Sequence, residues 1–300
     1  MNRLVLLPVL LLALNGCAIR ELAVNHFGDA IAEGGSAFSA DDDAELVRAA
    51  APFSLKLMES LLAESPKHKG LLLAASRGFT QYAYAFLQQE AEEAEDHDLT
   101  RSLALQDRAR RLYSRARDYG LRGLALGKAD FIEKLRADPA KALAATSRDD
   151  VALLYWTAAS WGALIGLSKS EPDALGDLPQ VEAMIDRALE LDESFDRGAI
   201  HSFLIGYESV RQGAAGDASE RARRHFNRSM ELSGGRDAAP LLALAEAVCV
   251  PQQRRAEFES LLQQALRIDT RRVADNRLAI VVAQRRARWL LSRIDHLFTD

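Results

Sequence analysis

Residues 108–124 read RARRLYSRARDYGLRGL, with six arginines and two tyrosines in seventeen positions. Basic residues interleaved with aromatics are one signature of a nucleic-acid surface. Wound on a 3.6-residue helix, the same letters separate. Ala109, Leu112, Tyr113, Ala116, Tyr119, Gly120, Gly123 and Leu124 recur at i, i+3, i+4, i+7 and form one apolar stripe. Arg108, Arg111, Arg115 and Arg122 fall on one flank of it, Arg110 and Arg117 on the other. The tyrosines therefore face a core and the arginines do not share their face. Stacking a base on Tyr113 would require unpacking the helix, so no nucleic-acid partner is expected.

The same periodicity extends outward in both directions. Leu, Ala, Arg and Glu dominate, all good helix formers, and strand-like alternation never persists. Helices are expected over 44–64, 70–96, 100–126, 129–136, 149–168, 179–192, 198–213, 217–233, 238–249, 252–268 and 272–298. Asp41, Asp42 and Asp43 supply an N-cap for the first, and Pro52 is expected to bend it or to start a second piece. The segments at 64–66, 138–140 and 171–179 read as breaks. The acidic run QQEAEEAEDHD (88–98) precedes the arginine-rich helix. An antiparallel turn at about 97–100 would bring Glu92, Glu93 and Glu95 near Arg101 and Arg108.

A weak repeat runs through the C-terminal half. ALELDESFDRG from Ala188, SMELSGGRD from Ser229 and ALRIDTRRV from Ala265 each end an amphipathic helix and enter a turn. Paired helices recurring near ~34 residues are the tetratricopeptide signature. The expected fold is all-α, with divergent tetratricopeptide-like hairpins packed as an α-solenoid or bundle.

The chain has 300 residues and a net charge of −5. A mildly acidic whole argues against a sequence-independent phosphate binder. The first residues, MNRLVLLPVLLLALNGC, carry one cation and then about eleven apolar residues. That run is too short to span a ~30 Å hydrocarbon core and fits a secretory signal peptide. Its end, Leu14-Asn15-Gly16-Cys17, resembles the lipobox of bacterial lipoproteins. The expected organisation is a signal peptide over 1–16, a lead-in tethered by lipid at Cys17 over 17–43, and a helical domain over 44–300. Contact with a membrane is expected through the N-terminal lipid only. Ala18 stands where Asp would point to inner-membrane retention, so the outer membrane, facing the periplasm, is the expected location. Cys249, in an apolar run, reads as a core residue.

No catalytic constellation stands out. The six histidines show no metal-ligand spacing, and there is no phosphate-cradling loop, G-x-S-x-G elbow or C-x-x-C. No enzyme activity, cofactor or metal is expected. Three segments offer candidate ligand or partner contacts instead. In LLYWTAASWGALIG, Trp156 and Trp161 point about 140° apart on a helix, so one can be core while the other lines a groove. GAIHSFLIGYES places His201 and Tyr207 on an apolar helix. In DNRLAIVVAQRRARWLL, Gln284, Arg285, Arg288 and Trp289 form a polar turn and a half, with Arg285 four residues before Trp289 in reach of a cation–π contact.

Together with LYSRARDYGLRGL, the segments APFSLKLMESLLAESP, GFTQYAYAF, YWTAASWGALIGLSK, ALELDESFDRGAIHSFLIGYES, RRHFNRSMELSGG and NRLAIVVAQRRARWLL resemble the TatT family. These are the T components of tetratricopeptide-associated TRAP transporters, and the likeness runs from about residue 31 to 297. It implies a periplasm-facing lipoprotein that binds a TRAP solute-binding protein and helps transfer an apolar or organic-acid solute. It also implies a homo-oligomer, a trimer in the family. Two other readings remain open at this point: a stand-alone carrier of hydrophobic small molecules, and a structural lipoprotein of the envelope.

Overall fold

The computed structural model describes residues 25–299 apart from 27, 33–34 and 169–170. The expected signal peptide over 1–16 and the expected lipidation site Cys17 lie outside the described residues. Among those described, the chain is helical with no strand. Within the lead-in, residues 28–32 and Gly35–Ser39 are helical, and Ile31 and Phe38 pack on the N-terminal core.

The long helices are α1 (Ala44–Glu64), α2 (Lys69–Ala83), α3 (Gln89–Ala94), α4 (Leu99–Leu124), α5 (Phe131–Ala137) and α6 (Val151–Gly166). They continue with α7 (Leu178–Leu191), α8 (Phe195–Tyr207), α9 (Ala218–Ser233), α10 (Ala239–Leu244), α11 (Arg255–Leu266) and α12 (Arg277–Ser292). Side-chain caps start several of them. Asp43 accepts from the amides of Glu45 and Leu46, Asp98 from Arg101 and Asp217 from Glu220, which satisfies N–H groups that lack a partner in the first turn. Pro52 starts no second piece: α1 runs through it as one helix. The expected break at 138–140 falls at Asp138, which ends one helix at Ala137 and caps a short one over Pro139–Leu143.

Among the described residues, two π-helical segments interrupt the regular winding. Tyr84–Gln88 joins α2 to α3, and Ala245–Cys249 extends α10. A third irregularity opens α8, where Asp196, Arg197 and Gly198 have φ of 41°, 57° and 90°. Gly198 is needed there twice over. Its φ disfavours a side chain, and a Cβ would crowd the Ser229 backbone and the Leu232 side chain at 3.2 Å.

Three apolar cores follow one another along the chain. The first joins α1, α2 and α4 around Leu71, Leu72, Phe79 and Tyr113. The second joins the end of α4 to α5, α6, α7 and α8 around Leu154, Met184 and Leu204. The third joins α9, α10, α11 and α12 around Leu242, Phe258 and Leu262. Sequence neighbours supply most of the packing: α2 on α4, α4 on α6, α6 on α7, α8 on α9 and α11 on α12. The exception is α12, which returns to the start of the chain. It packs on α1 and on the short helix Gly35–Ser39, and its Leu278 joins the first core.

Candidate functional site

The return of α12 creates a polar junction between segments about two hundred residues apart. Arg286 sits at its centre and is 8% exposed. Its guanidinium ion-pairs with Glu92 of α3 and makes a two-pronged contact with Glu246 of the second π-helix, Nη2 donating at 2.6 Å and Nε at 3.4 Å. The guanidinium carbon also lies 4.4 Å from the centre of the Trp289 ring. Burial works against the charge on Arg286, but Glu246 and Glu92 overcome it and hold the group above its ordinary range.

A chain of hydrogen bonds leads into this centre. Tyr113, fully buried, donates from its hydroxyl to Gln88 Oε1 at 2.7 Å, and Gln88 Nε2 donates to Glu92 Oε1 at 3.1 Å. On the same segment, Tyr84 is 44% exposed, yet burial and then the charge of Glu246 push its hydroxyl up to about 12. Beside Tyr84 lies Gln89, 1% exposed, whose side-chain amide interacts with the Tyr84 hydroxyl and favours its ionised form.

Both π-helices contribute to the junction, Tyr84 from the first and Glu246 from the second. Single π-turns inside α-helices are frequent at functional sites. The group combines an arginine between two carboxylates, a phenol, a buried amide and an indole face. Such a set can hold a polar or amphipathic molecule by hydrogen bonds and stacking. Among the described residues, no group of three or more His, Cys, Asp or Glu is placed to hold a metal ion.

The residues singled out in the sequence fall into three settings. Gln284 donates from Nε2 to the carbonyls of Ala265, Leu266 and Ile268, closing the end of α11. Arg285 grips Glu93 with Nε at 3.2 Å and Nη2 at 2.7 Å. Trp289 is stacked by Arg286 and by Arg293, the latter at 5.1 Å, so the expected Arg285–Trp289 pair is replaced by its neighbours. Arg288 is exposed. On α6, Trp161 is the core member: it is 5% exposed, donates to Asp177 Oδ2 at 3.0 Å and is covered by Arg117. Trp156 is half-buried and meets Tyr155 edge to face at 5.0 Å.

On α8, His201 is buried and shares a hydrogen bond with His225, Nδ1 to Nδ1 at 2.8 Å. Tyr207 donates to Glu182 Oε2 at 3.0 Å, under the guanidinium of Arg211. Cys249 is fully buried, and burial pushes its thiol up to about 11, as befits an inert core residue. Sequence reasoning passed over Arg286, although Val282, Arg286 and Leu290 follow at i, i+4, i+8 on the buried stripe of α12. An arginine inside an apolar stripe is the signal of a buried ion pair. Tyr84, Gln89 and Glu246 carry no such mark, because nothing local announces a π-turn.

The acidic run pairs differently from expectation. Glu90 takes Arg101 and Arg48, whereas Glu92, Glu93 and Asp96 reach Arg286, Arg285 and Arg293 at the other end of the chain. A π-turn carries an extra residue, so the acids after it lie on a face displaced from that of a straight α-helix.

A family model described as TRAP transporter T-component matches residues 40–298. An uncharacterized protein of Treponema pallidum (strain Nichols) is 28% identical over 303 positions, covering 95% of this chain and 94% of that relative.

Proposed function

This chain belongs to the TRAP transporter T-component family, and from that premise we propose that it docks the solute receptor of a TRAP system and helps pass a solute to it. The family is a class of transporter component and not a class of enzyme. The solute is an apolar or organic-acid molecule with a polar end. The observation that carries this part is the junction around Arg286, where the Tyr84 side chain lies beside the buried amide of Gln89 and the Trp289 ring lies under the guanidinium. Trp289 would cover an apolar portion and Arg285 would help fix the wall. Trp156, half-buried, offers a second aromatic face, whereas Trp161, His201, Tyr207 and Gln284 would act by holding the scaffold. Exposed Arg288 is free for a partner.

In this reading the helical pairs are divergent tetratricopeptide-like hairpins, and the mature chain is held by lipid at Cys17 to the outer membrane, facing the periplasm, as a homo-oligomer. No helix among the described residues is long and apolar enough to cross a membrane. An anchored scaffold raises the effective concentration of its partners. The test is titration calorimetry of the mature protein against TRAP receptors encoded beside it. Saturable binding is expected, and absence of binding to every such receptor overturns the proposal. Native mass spectrometry of the same preparation reads the solute: a retained small molecule is expected, lost on Q89L, and a bare protein mass throughout removes the transfer role.

A further inference from the structure

A second feature lies along the flank of the arginine-rich helix, beside its buried stripe. Helices α1, α2 and α4 wall an open cleft of about 310 Å³. Its lining carries four cationic side chains, Lys56, Arg108, Arg111 and Arg115, and no carboxylate. Glu59 lies behind it and offsets part of that charge, at 2.5 Å from Lys56 and 3.6 Å from Arg115. Arg108 and Arg111 are exposed and make no ion pair or hydrogen bond among the described residues. They differ in this from Arg115, which lies over Phe79, and from Arg122, which donates to the Pro66 carbonyl at 3.1 Å and covers Tyr119. Two unpaired arginines and a lysine on a chain of net charge −5 are a concentrated exception to its overall sign.

Exposed apolar side chains lie on the helices that wall the cleft. Seven large apolar side chains are exposed among the described residues, and four of them, Leu46, Phe53, Leu99 and Leu103, belong to α1 and α4. Leu46 and Phe53 are seven residues apart and share a helix face, and Phe53 is 73% exposed. Phe53 also lies one turn before Lys56. Exposed aromatic and arginine side chains gathered at one place are the composition of a binding hot spot.

We infer that this cleft is the docking surface for an acidic segment of a partner protein that carries an apolar side chain, the carboxylates meeting Arg108 and Arg111 and the apolar group packing against Phe53. Charge complementarity selects the acidic partner, because the walls offer four cations and no anion. Extent selects a protein. The cleft is at the lower limit of small-ligand pockets, and the apolar stripe of α1 continues beyond it, where only a larger partner would cover it. Identifying that partner as the solute receptor rests on the function proposed above; the chemistry of the surface does not.

The test uses the full chain with the double charge reversal R108E/R111E and, separately, F53A. All three positions are exposed, so melting temperatures are expected to match the parent. Against a receptor that binds the parent, each variant is expected to weaken binding roughly tenfold or more, and the parent's affinity is expected to fall as salt is raised. Unchanged affinity in both variants overturns the proposal. If no receptor binds the parent, the transport reading falls by itself. The surface is then judged by a photo-crosslinking residue placed at position 53 in cells. An adduct mapped to an acidic stretch of an identified protein, and lost on R108E/R111E, supports it. An adduct only with lipid or with a second copy of this chain, or no adduct, overturns it.

Discussion

Gly120 sits where α4 crosses α2 and α6. A Cβ there would stand 2.1 Å from Thr157 Oγ1 and 3.0 Å from Ser76 Oγ, and both neighbours are fully buried. Thr157 cannot turn aside without giving up its hydrogen bond to the Leu153 carbonyl at 2.5 Å. G120A is therefore expected to cost about 1–3 kcal/mol by overpacking, read as a lower urea midpoint. G166A is the contrast: a Cβ there meets nothing within 4 Å, and the change is expected to be neutral or slightly stabilising. The histidine pair makes a pH prediction at the same scale. A bond between two Nδ1 atoms needs a proton on one and a lone pair on the other, so it fails when both rings are charged. Burial first, and then the charge of His201, lower His225 to about 4, and burial also lowers His201 despite Glu193 beside it. Glu208 faces His225 Nε2 at 3.7 Å, while Arg211, Arg224 and Arg228 oppose further positive charge. With the folded value below the unfolded ~6.5, the unfolded chain takes up protons first as pH falls. The contribution is complete above about 6.5 and is lost toward 4. Melting temperature is expected to fall between pH 7 and pH 5, above the carboxylate range, and to fall less in H225N.

At the scale of elements, the informative one is α12 with its two neighbouring arginines. Arg285 and Arg286 each hold a carboxylate of α3, but the side chain of Arg285 is 39% exposed and that of Arg286 only 10%. Solvent screens the first pair, so R285A is expected to cost about 1 kcal/mol or less. R286M leaves Glu92 and Glu246, whose side chains are 29% and 34% exposed, without their shared cation, and is expected to cost more than R285A, roughly 1–3 kcal/mol after solvent screening. Urea unfolding of the two variants side by side checks this, and equal costs would mean that the junction is wetter than described. The windows of the long helices were legible because apolar stripes and Asp caps are local signals, as Asp98 and the 108–124 stripe illustrate. The π-turn at Tyr84–Gln88 and the left-handed opening of α8 were not. Both depend on how a helix must be re-aimed to meet a distant neighbour.

For the whole molecule, the question is what closes it. An open helical array keeps its ends apart, because each unit touches only its neighbours. Here α12 packs on α1, contributes Leu278 to the first core and Leu290 to the third, and is bound by ion pairs to the acidic segment after α2. Removing residues 277–300 would open both cores at once. Such a truncation is expected to lower the melting temperature by roughly 10 °C or more and to broaden the transition in calorimetry; a sharp, unshifted transition would show that the other helices stand alone. The sequence by itself determined the helical class, the buried face of 108–124, the helix starts at Asp43, Asp98 and Asp217, and the family. These follow from 3.6-residue periodicity, capping chemistry and the order of motifs, all of which act within a few residues. Only the tertiary structure decided that Glu92 and Glu93 meet Arg286 and Arg285 rather than Arg101 and Arg108, and that Arg286 rather than Arg285 stacks on Trp289. It also decided that Arg115 and Arg122 turn to internal partners while Arg108 and Arg111 do not. A surface charge has many partners of nearly equal worth along a chain. Which one it meets is settled by the packing of apolar faces far from it, and by the extra residue of a π-turn that no local pattern declares.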